Sequence, residues 1–455
     1  MRLNNKRLRY TYWLLIAFFR KNAQPIFLSF LGSIIAVIVV ASFSPYLLRI
    51  LTRNSEIIGV TGSYSVNNLP DDIVSKFSNG LLYVNDKGEI IPLLVDTWEQ
   101  VDNGKEYRFH LKKDLTWNDG TPFTTKDVNY SFRDVKVVAE NDYLLIITLK
   151  KELPIFPIFL SRPIVKFPLQ GVAGLYRVDK VKTDQGIVKE LHLSPNKEGL
   201  PYLVYKFYDT DTKLIQAYKL GEITQMSTNR PSVAATFESW KNSQIEKQVD
   251  YSQIVALFFN LDNSLLGQEK DLRHAIAESI DTTFINDLGE QAYSPIAPTS
   301  WAYNTDVKKY TYNPNVSERV IKKYTEDASS SAKLTISTYY DYLSVADTIK
   351  DNLKEVGLTV NVEVLAGNLP PTYQLFLAPM SINKDPDQYF FWHSTQSGNI
   401  TKYNNPRIDK LLEDGRGTFS RNERKGYYED FQKVLVEDMP AFFLYHPFIY
   451  TISRK

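Results

Sequence analysis

The stretch Gly88–Phe132 reads GEIIPLLVDTWEQVDNGKEYRFHLKKDLTWNDGTPFTTKDVNYSF, and its punctuation decides the fold. Asn103-Gly104 and Asp119-Gly120 lie inside it, and Asn85-Asp86-Lys87-Gly88 leads into it. Each combines a side chain that bends the backbone with a glycine tolerant of positive φ, so each predicts a tight turn between strands. After the Asn103-Gly104 turn, Tyr107, Phe109 and Leu111 alternate with Arg108 and His110, the period of a half-buried strand. Thr124 with Asp127 three residues later has the form of a capping box and predicts a short helix through Val128 and Phe132. Leu144–Lys150 returns as a strand, and Pro154, Pro157 and Pro163 punctuate the segment after it.

Toward the C-terminus the period changes. Leu334 and Ile336 mark a strand, Val345, Ile349, Leu353 and Val356 share a helical face, and Gly357 stops that helix. Leu358, Val360, Val362 and Val364 then alternate, which predicts a right-handed parallel crossover. Leu272, Ala275, Ile276, Ile280 and Phe284 form one helical stripe. Asn405-Pro406 starts a further helix as N-cap and first residue, and Gly415 is expected to end it. The fold class is mixed α/β with a β-rich insertion early in the chain.

Toward the N-terminus the character changes again. Asn22–Leu48 carries no charge, and Ile26–Leu48 is an apolar run long enough to cross a bilayer as a helix. Six Lys/Arg precede it and two follow closely, which places residues 1–25 in the cytoplasm and everything after Arg53 outside. A cleavable signal peptide has a shorter apolar region. Tyr10–Phe19 is too short to span and is expected to lie at the interface. Residues 26–48 are thus read as a single transmembrane helix in the lipid bilayer, and 49–55 as a linker.

The chain has 455 residues, enough for two or three domains, and no cysteine. That excludes disulfides, thiolate metal sites and a Cys nucleophile. Its five histidines are widely spaced and form no local metal motif. Eight of the 53 basic residues, and none of the 52 acidic ones, fall within the first 55, so the body is mildly acidic. A partner nucleic acid held by counterion release is thereby excluded. No nucleophile elbow, phosphate loop or dinucleotide fingerprint is present. Acid pairs such as Asp71-Asp72 and Asp385-x-Asp387 read as surface or capping residues, and no enzyme, metal or cofactor is expected.

The same Gly88–Phe132 stretch resembles the signature of family 5 extracellular solute-binding proteins, the dipeptide-, oligopeptide- and nickel-binding receptors of ABC importers. The matching positions are Gly88, Pro92, Leu94, Trp98, Gly104-Lys105, Tyr107, Phe109, Leu111, Asp119-Gly120, Pro122-Phe123 and Asp127-Val128. Similar echoes follow in family order at Gly171–Val178, Tyr218–Ile223, Leu257–Asp281, Tyr403–Gly415 and Val434–Tyr445.

The resemblance implies a type II periplasmic-binding-protein-like fold with two lobes and an extra β-rich subdomain. Lobe I would comprise residues 56–80 and 162–256 with 440–455, the subdomain 81–161, and lobe II 257–439. Ligand would be trapped by hinge closure and passed to ABC permease and ATPase subunits. Peptide-binding relatives hold the ligand amine with an Asp placed before a [DE]-P step. Here Asp385-Pro386 aligns with that step and Ile382 stands where the acid would be. An ammonium would lose a charge-assisted bond of roughly 1.5–3 kcal/mol, which shifts weight toward an uncharged, blocked or sugar-containing solute. Tyr64 and Ser65, after the first strand, and Asn383 and Trp392, flanking Asp385-Pro386, are the expected ligand-binding residues. Arg273 and Asp281 are expected to be structural partners. The alternative reading is a non-transport scaffold or sensor built on the same fold.

Overall fold

The computed structural model describes residues 5–25, 28, 29, 31–34, 37, 54–85, 87–326 and 334–455. It divides into one unit of residues 1–55 with 199–202 and a second of 56–198 with 203–455. In the first unit Asn5–Lys21 is a helix, with Tyr10, Tyr12, Trp13, Phe18 and Phe19 exposed. Most of the 26–48 span lies outside the described residues. Among those described, no helix is long and apolar enough to cross a membrane.

The second unit is organised by the strand Ala441–Arg454. Its first part pairs antiparallel with Gln253–Phe259 and its second part with Ser243–Val249 and Gln225–Thr228. Beyond Gln253–Phe259 lie Leu375–Ser381, Leu334–Thr338 and Val360–Val364. Beyond Gln225–Thr228 come Ser55–Thr61, Tyr202–Tyr208, Ile187–Pro195 and Tyr176–Asp184. With Gly289–Gln291, which also pairs antiparallel with Ala441–Arg454, a single twelve-stranded sheet results. Its two halves are joined where Ala441–Arg454 and the connection Asp250–Ser252 pass from one to the other.

Local sequence accounts for these elements. Ile254–Phe259 is buried at every residue, so this strand is continuously apolar rather than alternating. Val345, Ile349 and Leu353 are the buried stripe of Leu343–Glu355, Gly357 has φ +84°, and the flanking strands Leu334–Thr338 and Val360–Val364 pair in parallel. Asn405 caps Pro406–Gly417 through Arg407 N.

A separate four-stranded antiparallel sheet comprises Val95–Val101, Glu106–Leu111, Leu144–Leu149 and Val135–Ala139, in that order. Asn103 (φ 50°) and Gly104 (φ 82°) make the turn between its first two strands. Tyr107, Phe109 and Leu111 face a core with Leu145, Ile147 and Phe156, and the Tyr107 hydroxyl donates to Leu153 O at 2.8 Å.

Four local expectations need correction. The Thr124/Asp127 capping box is present but opens only the single turn Thr125–Asp127, because Val128 turns extended (ψ 108°) and Tyr130 anchors instead to Leu160 O and Arg162 O. The stripe from Leu272 breaks after Lys270–Glu278, where Asp281 caps a second short turn, Thr282–Asp287. Gly415 does not end its helix: a Cβ there would sit 3.0 Å from the Tyr428 ring, so the glycine serves a close approach. Arg273 does not pair with Asp281; buried, it donates to the carbonyls of Asp438 (2.7 Å) and Met439 (3.0 Å).

Candidate functional site

Where the sheet halves join, two cavities open. One, of about 450 Å³, takes Asn229–Ser232 from beyond Gln225–Thr228, Tyr340–Val345 from beyond Leu334–Thr338, and Tyr445 and Pro447 from the crossing strand. Both loops lead into helices, Pro231–Glu238 and Leu343–Glu355, and so lie at the strands' C-terminal ends. Arg230 bridges the halves: its guanidinium pairs with Asp211 at 3.4 Å in the first half and with Asp341 in the second. Tyr342 also lines the cavity, and burial, with Asp341 beside it, pushes its hydroxyl up to about 12. It is therefore a hydrogen-bond donor at any physiological pH. Asp347 is held by Lys350 at 2.6 Å, so both acids here have cationic partners.

The second cavity, of about 380 Å³, adjoins the other crossing. Tyr251 and Ser252 come from the connection itself, Ile296 and Ala297 from a loop, and Ile382–Lys384 from the segment after Leu375–Ser381. Ile382 N donates to Ser252 O at 2.7 Å, and the Tyr251 hydroxyl donates to Glu290 at 2.8 Å. Burial first, then that bond, pushes the Tyr251 hydroxyl up to about 12.

The acids following Ile382 are committed elsewhere. Asp385, buried, pairs with Arg424 at 2.8 Å and accepts Asp387 N at 3.0 Å. Asp387 pairs with Arg416 at 3.1 Å and accepts Tyr389 N at 3.1 Å. Burial raises the Asp387 carboxyl against the opposing pull of Arg416. Both read as caps with arginine partners, and neither replaces the acid absent at Ile382. Lys384 reaches the small hairpin of Leu82–Val84 and Ile90–Pro92, with Nζ 3.4 Å from the Tyr83 hydroxyl and 5.1 Å from the ring centre. Arg421 donates to Lys87 O and stacks 4.8 Å over Trp301.

The four expected ligand residues are dispersed. Asn383 is exposed and lines the 380 Å³ cavity. Trp392 is 1% exposed, packs between Phe258 (6.4 Å) and Phe443 (6.0 Å), and lines a separate apolar cavity of about 250 Å³. Tyr64 packs edge-on against Phe207 (5.5 Å) and donates to Thr61 O at 3.2 Å. Ser65 forms an isolated bridge with Ile187. Val66–Leu69, next in the chain, line a cavity of about 520 Å³ shared with Tyr130, Arg162 and Phe167.

Arg230, Asp341 and Gln388 were not singled out from the sequence. Their significance comes from partners far away in the chain, or from having none, and neither leaves a local signal. Among the described residues no group of three or more His, Asp or Glu could hold a metal ion. The arrangement offers aromatic walls, neutral donors and mostly committed charges, which suits binding more than bond-breaking chemistry.

Comparison with known proteins matches residues 89–402 to the profile "Bacterial extracellular solute-binding proteins, family 5 Middle". The chain is similar to the oligopeptide-binding protein AppA of Bacillus subtilis, with 23% identity covering 84% of this chain and 83% of that protein. It is also similar to the dipeptide-binding protein of Escherichia coli, with 24% identity covering 81% and 83% respectively. Among solved structures, NikZ from Campylobacter jejuni in complex with Ni(L-His) superposes with a TM-score of 0.75 at 23% identity, covering 89% of this chain and 94% of that one. Bacillus subtilis AppA in complex with a nonapeptide gives 0.72 at 20% identity, covering 88% and 94%.

Proposed function

Because the chain belongs to family 5 of the bacterial extracellular solute-binding proteins, the substrate receptors of ABC importers, we propose that it captures a peptide-like or other small organic solute by hinge closure. As a member of that family it is a binding protein and not an enzyme. The lobes would be residues 56–80 with 162–256 and 440–455, and residues 257–439, with 81–161 as the added subdomain. Captured solute would pass to a permease driven by cytoplasmic ATPases. Residues 26–48 would tether the receptor to the outer face of the cell membrane, with residues 1–25 cytoplasmic.

The observation that carries this reading is the pair of crossings at Asp250–Ser252 and in Ala441–Arg454, each with a cavity beside it. Two chain connections between two sheet halves would serve as a hinge, and bending there would change both cavities together. Tyr64, Ser65, Asn383 and Trp392 are retained as candidate ligand contacts. Asn383 has the most direct support, since it lines a cavity at a crossing.

The absence of cysteine permits a clean test. Fluorophores on Asp184→Cys and Lys354→Cys, both exposed, would report the distance between the proposed lobes. A distance change on adding one class from a panel of peptides, amino-sugar conjugates and nickel chelates is the expected result. No change with any of them, nor with solutes extracted from the host, would shift the reading to a scaffold or sensor.

A further inference from the structure

Two glutamines in the second unit are equally buried and opposite in their bonding. Gln432 is 0% exposed, and both ends of its amide are used. Nε2 donates to Ala302 O (2.8 Å) and Tyr428 O (2.9 Å), while Oε1 accepts from Ser294 Oγ (2.9 Å) and Asn304 N (3.2 Å). Gln388 is 1% exposed, yet neither its Oε1 nor its Nε2 has a partner among the described residues. Buried amides are nearly always satisfied, so the second case needs an explanation. Gln388 lines the 380 Å³ cavity at the Asp250–Ser252 crossing.

The rest of that cavity narrows what could satisfy the amide. Its wall sets apolar Val249, Ile296, Ala297, Ile382 and Pro386 beside neutral polar Tyr251, Ser252, Thr299, Ser300 and Asn383, and Lys384 is its one charged side chain among the described residues. Among the described residues no carboxylate lines it. The nearby acids Asp385 and Asp387 are held by Arg424 and Arg416, and Glu290 accepts from Tyr251. An ammonium would therefore enter without a counter-charge and beside a lysine. A carboxylate could answer Nε2 but would leave Oε1 unpaired, because it donates nothing. A second amide answers both atoms at once, donating N–H to Oε1 and accepting from Nε2.

Resting on the solute-binding reading above, we infer that Gln388 is a ligand-reading residue whose side-chain amide pairs with a carboxamide or peptide group of an amine-blocked, neutral ligand in this cavity. The ligand class is thus N-acylated or amide-rich, such as a blocked peptide, and not a free peptide gripped by its α-amine. Specificity follows from the penalty on mismatches: a ligand lacking the second amide leaves a buried polar pair unanswered.

The test compares N-acetyl-Ala-Ala amide with Ala-Ala amide, whose terminal amine is free, by titration calorimetry on the full-length chain in mild detergent. Wild type is expected to bind the blocked peptide about tenfold or more tightly than the free one. Gln388→Leu should lose about tenfold for the blocked peptide, the loss of two neutral hydrogen bonds, while melting at the same temperature as wild type or higher. Gln388→Glu should shift preference toward the free amine. A Leu variant that melts markedly lower, or fails to fold, overturns the inference, because the amide would then be satisfied within the fold. Equal binding of the two peptides by wild type, or binding of neither, also overturns it. The broader solute-binding reading falls only if host-derived solutes also fail to close the protein.

Discussion

The four-stranded subdomain and the segment Ile382–His393 are both well packed, but they are held by different forces. In the subdomain, Tyr107, Phe109, Leu145 and Ile147 make an apolar core, and its phenols are satisfied by carbonyls: Tyr107 by Leu153, Tyr130 by Leu160 and Arg162. In the segment, carboxylates face arginines, and among the described residues neither the Gln388 side chain nor Trp392 Nε1 has a hydrogen-bond partner. The subdomain has unpartnered buried donors of its own, Trp117 Nε1 and Asn118 Nδ2, but its ion pairs, Arg108–Glu106 and Lys126–Asp142, lie at the surface. A region with buried charge and unanswered polar atoms carries a cost that folding alone does not explain, which is where binding sites are found.

Substitutions can break or sharpen that contrast. The largest effect is expected for Asp385→Ala, which strands the Arg424 guanidinium, 11% exposed, and removes the cap on Asp387 N. The cost should be about 3–5 kcal/mol by denaturant unfolding. A loss under ~1 kcal/mol, typical of exposed pairs, would mean that the segment does not depend on buried charge. In the subdomain, Tyr107→Phe removes one neutral bond from an otherwise intact core and should cost about 1 kcal/mol. A cost as large as that of Asp385→Ala would erase the distinction.

Smaller again is a pH effect at the proposed hinge. His446 is buried on the crossing strand, near Gln253 O (2.8 Å) and the Tyr251 ring (5.2 Å). Burial holds its pKa below the ordinary value, with the Gln253 carbonyl opposing. As pH falls through the usual histidine range near ~6.5, the unfolded chain takes up a proton that the folded protein resists. Stability is therefore full above that range and declines below it. Melting temperature should fall between pH 7 and pH 5, and His446→Leu should flatten the slope without abolishing it, since His274 is depressed by burial too. A slope unchanged in His446→Leu would contradict this. The smallest effect is that of Arg230→Ala. Its pairs are partly exposed, so the stability loss should be about 0.2–1 kcal/mol. The interlobe distance without ligand should nonetheless shift toward open, and no shift would deny Arg230 a bridging role.

The subdomain was the more legible of the two regions, for a physical reason. Asn103-Gly104 and the Tyr107–Leu111 alternation act over a few residues, and the structure realises them where the spacing places them. The Thr124 capping box was legible as a cap but not in its extent, because Tyr130 is drawn away by carbonyls thirty or more residues on. In the segment almost everything is non-local. Arg424 lies 39 residues from Asp385, and the use of Gly415 depends on Tyr428 crossing it. The lack of a partner at Gln388 is a property of the assembled fold, so no spacing rule could announce it. A hinge was implied only by family resemblance, since the crossing of Ala441–Arg454 between sheet halves depends on pairings spread over the whole body.

The central claim, capture of a solute between two lobes, is tested most directly by native mass spectrometry of the full-length protein purified gently from its own host. The expected result is a protein-bound small molecule, released on unfolding, whose mass and fragments identify an amide-bearing solute without a free amine. A protein that arrives empty, and stays empty after incubation with host extract, would contradict the claim.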